Sequence, residues 1–308
     1  MTQATDSALY AELVAVLAAV NHGQPRVLTT QGGAALPAGP FQMVHRSLQA
    51  GLRAWVERQT QHNLGYVEQL YTFADRERAE AAHVLSISYL GLTCEPALAP
   101  QGDTSWQDWY SYFPWEDWRK GAPAVLADCI VPPLKTWVNE ASNQSLRQYR
   151  KARVAINFGV GESPWNEDLV LQRYELLFEA GLVQEAVRSG ATLRAPVPGR
   201  AMQHDHRRIL ATGMARLRAK IKYRPVVFEL MPPAFTLLQL QQTVEALAGR
   251  GLHKQNFRRL IEQQDLVEAT GAMTAGATGR PAQLFRFRSG VLQERATAGS
   301  KLPLAREA

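Results

Sequence analysis

Residues 235–288 read FTLLQLQQTVEALAGRGLHKQNFRRLIEQQDLVEATGAMTAGATGRPAQLFRFR. Thr236 followed three residues later by Gln239 is a capping-box pattern, in which each side chain satisfies the other residue's backbone N–H, so a helix is expected to start there. Leu237, Leu240, Val244 and Leu247 give that helix one apolar stripe, and Gly249 and Gly251 supply the turn after it. A second helix is predicted from about Lys254 to Gln264. At roughly 100° per residue, Phe257, Leu260, Ile261 and Gln264 share its inner face, while Gln255, Asn256, Arg258, Arg259 and Glu262 spread over the outer one. That outer face is basic and amide-rich, unlike the alternating Lys and Glu of a merely solvated helix. Arginine pairs bidentately with guanine, and Asn or Gln with adenine, in a DNA major groove. Leu266-Val267-Glu268 and residues 284–288 read as two short strands around a Gly/Ala/Thr-rich loop. Arg280 on that loop is placed to reach a phosphate or a narrow minor groove. The expectation is a winged helix-turn-helix over residues 225–290, followed by a loose tail at 291–308. Its partner is double-stranded operator DNA, contacted by Lys254, Gln255, Asn256, Arg258, Arg259 and Arg280. The alternative use of such a module is docking onto another protein.

Working outward, 308 residues suffice for two domains with a core in each. The net charge of +6 suits a polyanionic partner. The segment 204–224 carries Arg207, Arg208, Arg216, Arg218, Lys220, Lys222 and Arg224 against the single acid Asp205, which concentrates positive charge next to the predicted DNA-binding module. The first residues lack a signal-peptide pattern, and no apolar run approaches the roughly 20 residues of a membrane span, so a cytoplasmic chain without a membrane partner is expected. Cys94 and Cys129 lie far apart without CxxC spacing, which points to neither a disulfide framework nor a zinc site.

The N-terminal half alternates strands and helices. Residues 14–20 and 26–30 flank a cluster of turn formers and read as a β-hairpin. Val44, Leu48, Leu52, Trp55 and Val56 recur at helical spacing, and residues 66–73 and 83–92 follow as strands, so an α/β domain is expected over 1–224. A helical insertion occupies about 124–195, with Pro132-Pro133 and residues 159–164 as breaks. Gly159 to Gly161 lacks the context of a dinucleotide loop and reads as a helix-terminating turn. The aromatic group from Trp106 to Trp118 can stack on a base, but packing is the commoner role. His204-Asp205-His206 places two imidazoles in different directions, so Asp205 as a helix cap is the simpler reading than a metal site.

Leu36-Pro37-Ala38-Gly39, the helix after it, and the strand Tyr66 to Phe73 resemble the Nudix fold. Phe235-Thr-Leu, Asn256-Phe-Arg-Arg259 and Gly279-Arg-Pro281 follow in the order seen in the Nudix-related transcriptional regulators of NAD metabolism, the NrtR and NadQ type. The similarity also takes in residues 223–230 and the helix near Asp205-His206, leaving the middle helical block uncovered. It implies a Nudix-like α/β/α sandwich with a helical insertion, then a winged helix. It implies a repressor of NAD synthesis or salvage genes that senses a small-molecule nucleotide effector: an adenine nucleotide, ADP-ribose or NAD. A homodimer is expected because a single winged helix reads only a short site.

The Nudix signature uses several glutamates to hold Mg²⁺ against a pyrophosphate. Reading it from Gly39 puts Arg53 on the signature arginine and Glu57 on the first paired glutamate. His45, Ala54 and Arg58 occupy the other carboxylate positions, and Thr60 the final glycine. One carboxylate beside two arginines does not build a hard-cation site, so no metal, no required cofactor and no catalytic residues are expected. Arg26, Arg53 and Arg76 are the candidates for effector phosphates, with Glu57 beside them; Arg53 and Glu57 equally fit an ion pair on the helix surface. The rival expectation is an active hydrolase of ADP-ribose or dinucleotides that recruits Glu68, Glu77 or Glu80.

Overall fold

The computed structural model describes residues 8–42, 46–60, 65–74, 82–94, 102–274, 281–288 and 290. The predicted hairpin forms: β1 (Ala8–Asn21) pairs antiparallel with β2 (Gln24–Thr29) across His22-Gly23. Both turn residues have positive φ, 48° and 68°, the backbone that matches the right-handed twist of the two strands. Next come β3 (Ala38–Pro40), α1 (Leu48–Thr60), β4 (Val67–Phe73), β5 (Ala82–Leu92) and β6 (Ser105–Asp108). The sheet runs β4-β5-β1-β2-β6, with β3 beside the N-terminal half of β1. The β1–β5 pair is parallel and the others are antiparallel.

Alternation along β1 builds two cores. Leu13, Ala15 and Leu17 pack with Leu28, Tyr89 and, from α1, Leu52 and Val56. Val14, Val16 and Ala18 point the other way, into the main core. With both faces covered, residues 13–19 are apolar without interruption, as a strand buried on two sides must be. Against the second face lies α5 (His206–Lys220), whose Gly213 is required by the approach: a Cβ there would stand 3.0 Å from Val16 Cγ1. Trp109, Tyr110, Tyr112, Phe113 and Trp115 are all buried in this core, so the aromatic segment is packing.

The middle block is helical as predicted, with one correction. Pro132-Pro133 does not break the chain. A π-turn at Leu126–Ile130 leads into α2 (Val131–Asn139), and the prolines fall in the first turn of α2, where a missing amide hydrogen costs least. In α3 (Gln144–Phe158), Asn143 Oδ1 accepts from Leu146 N at 2.8 Å to cap the start, and Gly159 at φ 61° ends the helix as expected. Then comes α4 (Val170–Glu179). Asp205 precedes α5 but its side chain makes no capping hydrogen bond; it pairs with Arg208 at 3.1 Å instead. Among the described residues no helix is long and apolar enough to cross a membrane.

The C-terminal elements are α6 (Leu237–Ala248), α7 (Lys254–Gln263), β7 (Val267–Met273) and β8 (Gln283–Phe287). Leu240, Val244 and Leu247 of α6 enter the same core as β1 and α5, which continues through Phe257 and Leu266. The first part of the chain also bonds the end of α6 directly. Tyr110 Oη donates to Ala246 O at 2.7 Å, Arg218 Nε to Leu247 O at 3.0 Å and Trp118 N to Gly249 O at 2.6 Å. These are among the carbonyls that a helix leaves without internal partners, and the guanidinium also suits the negative end of the helix dipole. Arg218 is itself held by Glu116, which Arg173 of α4 grips from the other side at 2.5 and 2.8 Å; all three side chains have no exposure. Gly249 (φ 70°) sits against Glu116 O, and a Cβ there would collide with it.

Candidate nucleic-acid interface

The capping box read from the sequence is present. Thr236 Oγ1 accepts from Gln239 N at 3.2 Å, and Gln239 Oε1 accepts from Thr236 N at 2.8 Å. Gly249 in the left-handed region turns the chain, and α7 begins at Lys254 without a side-chain cap. Phe257 and Ile261 are the buried side chains of α7 and fix its rotation. That rotation leaves Lys254, Gln255, Arg258 and Arg259 exposed, while Asn256 is half-buried on the flank. The outer face is therefore available to a partner and is richest in cations and amides at its N-terminal half.

The wing is an antiparallel pair with Val267 opposite Phe287 and Glu268 opposite Arg286. Phe235 makes an isolated antiparallel bridge to Phe285, and the Phe228 and Phe235 rings both pack against Phe287. Arg280 lies outside the described residues. A groove of about 650 Å³ runs between α7 and the wing, lined by Lys254, Arg258 and Glu262 on one side and Met273, Pro281 and Gln283 on the other.

The basic run on and after α5 has a different job from the one its charge suggests. Arg207 is buried on Glu185 at 3.2 Å, Arg218 on Glu116 at 2.6 Å, and Lys220 on Glu68. Arg208 pairs with Glu175 at 2.7 Å, and Lys222 with Glu167 and Asp168 at 3.0 and 2.7 Å. Three of the segment's cations are thus buried and two more are tied to acids, so most of its positive charge is engaged in ion pairs within the protein. Helical phasing carried the warning: Arg207 and Arg218 lie on the same stripe as Leu210, Met214 and Ile221.

In the first part of the chain, the effector candidates Arg26, Arg53 and Glu57 sit on the side of the sheet covered by α1. Arg26 lies on β2, one residue from Val27 of the opposite core and in phase with Leu28. Arg53 and Glu57 are one turn apart on α1, and Arg53 donates to Gly65 O at 2.9 Å. Glu57 is exposed. Gly39 lies under the indole of Trp55, which a Cβ would strike. Arg76 lies outside the described residues, as do Glu77 and Glu80. Glu68 is occupied: it accepts from Tyr66 Oη at 2.6 Å and from Lys220. Burial opposes its ionisation, but these hydrogen bonds outweigh that and hold its carboxyl below the ordinary range. Burial and the neighbouring carboxylate push the Tyr66 phenol far up. No group of three His, Cys, Asp or Glu residues placed to hold a metal ion occurs among the described residues.

A polar cleft of about 470 Å³ opens on the other face of the sheet, lined by Glu12, Thr30, Gln31, Asp103, His204 and His206. His206 Nδ1 accepts from Leu36 N at 2.9 Å, which leaves its proton on Nε2. The sequence singled out His204 and His206 only as a local triplet. Their neighbours Glu12 and Asp103 come from distant strands and loops, so no spacing could reveal the cleft.

A mixed sheet between helices, joined to a winged helix-turn-helix, defines a two-part protein in which a Nudix-like fold precedes a winged-helix module. Residues 227–287 match the family model of the NrtR DNA-binding winged helix domain. The chain is 42% identical over 83 residues to the ADPR responsive transcriptional repressor NtrR of Acinetobacter baylyi; the match spans 27% of this chain and about a third (33%) of that protein. In shape it is similar to Shewanella oneidensis NrtR complexed with a 27mer DNA, with a TM-score of 0.57 and 19% identity over 94% of this chain and 99% of that one. A second structure of the same protein gives a TM-score of 0.53 and 18% identity, covering 92% and 96%. The chain thus carries an NrtR-type winged helix and has the NrtR fold along nearly its whole length.

Proposed function

We propose that this protein is a cytoplasmic, homodimeric transcriptional repressor of NAD synthesis or salvage genes, whose Nudix-like domain senses an adenine nucleotide, ADP-ribose or NAD and alters operator affinity. The observation that carries the reading is the exposed Lys254, Gln255, Arg258 and Arg259 face of α7, locked by Phe257 and Ile261 within a segment that matches the NrtR winged helix. Arg and Gln on such a face read base edges, and Lys254 and Arg258 beside the wing groove suit phosphates. The name of the Acinetobacter relative, which is responsive to ADPR, supports ADP-ribose as the first effector to try. A symmetric pair would read two half-sites about one turn, roughly 34–36 Å, apart.

The domain acts as a sensor and not a hydrolase. Of the signature's carboxylate positions only Glu57 keeps an acid, and Glu68, a candidate replacement, is committed to Lys220. The test is binding of the full chain to the promoter beside its own gene, over a range of salt, with and without ADP-ribose. A salt-dependent complex that ADP-ribose weakens or strengthens supports the reading, and no complex at any salt overturns it. Magnesium-dependent turnover of ADP-ribose that Glu57→Gln abolishes would replace the sensor with an enzyme.

A further inference from the structure

We propose that Lys120, which belongs to the first part of the chain, contacts a DNA phosphate beside the N-terminus of α7, so that the DNA interface is built from both parts. The inference rests on the DNA-binding reading above. Its basis is a turn that the first part lays against the helix-turn-helix. Trp118 N donates to Gly249 O at 2.6 Å, and Trp118 bridges in parallel to Arg250. Gly121 N returns to Trp118 O at 3.0 Å, closing a turn with Arg119 and Lys120 at its corner. A Cβ on Gly251 would stand 3.3 Å from Arg119 O, so the corner lies against the segment 249–253 that leads into α7.

The two corner residues are treated differently by their surroundings. Arg119 is fixed by Asp117 at 2.8 Å, Gly23 O at 2.7 Å and Gln24 Oε1 at 3.1 Å. Lys120 is exposed. The nearby acids are engaged, Asp117 by Arg119 and Glu167 by Lys222 at 3.0 Å. Lys120 therefore adds an exposed cation to the turn that lies against residues 249–251, a few positions before Lys254 opens α7. A winged helix inserts its recognition helix into the major groove, with phosphates flanking the point of insertion, and a flexible lysine answers a phosphate without needing a bidentate geometry. A phosphate held by the first part also ties DNA affinity to how that part is docked on α6.

The experiment measures binding of the full chain to a short mixed-sequence duplex by fluorescence anisotropy across a salt series. Lys120→Ala should reduce the magnitude of the slope of log K against log salt by about 0.9, one phosphate contact, and Lys120→Glu should weaken binding further. Lys135→Ala, an exposed lysine on α2, should leave the slope at the wild-type value. If both Lys120 variants match wild type, or if Lys135→Ala loses as much, the contact does not exist. If the wild-type chain binds no duplex at all, the DNA reading fails and Lys120 fails with it.

Discussion

The two halves of this protein keep their charges in opposite ways. On α7 the cations Lys254, Arg258 and Arg259 stand exposed, whereas on α5 Arg207, Arg218 and Lys220 are buried on Glu185, Glu116 and Glu68. A count of basic residues treats both helices alike. What separates them is phase: on α7 the apolar positions and the cations fall on different faces, and on α5 two arginines share the apolar stripe. Charge on the outside is available to a polyanion, while charge on the inside holds elements in place.

The sharpest way to break this contrast is at Glu116. Glu116→Gln leaves Arg173 and Arg218 buried without their counter-charge, and removing one partner of a buried pair costs about 3–5 kcal/mol. The urea midpoint should fall accordingly; an unchanged midpoint would mean that α5 cations are not structural. Phe257→Ala opens a cavity beneath the outer face of α7, and a Phe-to-Ala change in a core costs about 3–5 kcal/mol, here confined more to the C-terminal elements. Operator binding should be lost with it. Arg259→Ala should leave the unfolding curve in place and remove roughly 1–3 kcal/mol of sequence discrimination, read as the ratio of operator to random-duplex affinity. If that ratio holds, the rotation assigned to α7 is wrong.

The smallest effect concerns acid. The carboxyl of Glu68 is held below its ordinary range in the folded chain despite the cost of burial, through hydrogen bonds from Lys220 and Tyr66. A depressed folded value stabilises the protein above the unfolded value, about 4.3, and that stabilisation is lost as pH falls through the lower folded value. Melting temperature should therefore fall below about pH 4.3, and Glu68→Gln should make that acid limb shallower. An identical limb in the variant would show that the α5 to β4 pair contributes nothing to acid stability.

Local signals in the sequence carried much of this fold. The Thr236 and Gln239 box, the His22-Gly23 turn, the Gly159 stop and the inward Phe257 and Ile261 each depend on residues within a few positions of one another, and each is found where the pattern placed it. The ion pairs were not legible because their partners are remote: Glu116 lies 57 residues from Arg173 and 102 from Arg218. The prolines at 132 and 133 misled because the π-turn before them has no signature of its own. The polar cleft with Glu12, Asp103 and His206 was invisible for the same reason as the ion pairs, since strand order, not spacing, brings those residues together.

The three donors that Tyr110, Trp118 and Arg218 aim at the last carbonyls of α6 and at Gly249 just past it bear on how winged-helix proteins can be recombined. A winged helix is commonly treated as a cassette to be cut at its boundary and fused elsewhere. Here a graft of residues 225–290 alone would arrive with its first helix unfinished. The heritable unit includes the 110–121 stretch and α5, so exchanging specificity between relatives calls for transplanting the face of α7, residue by residue, into an otherwise intact chain.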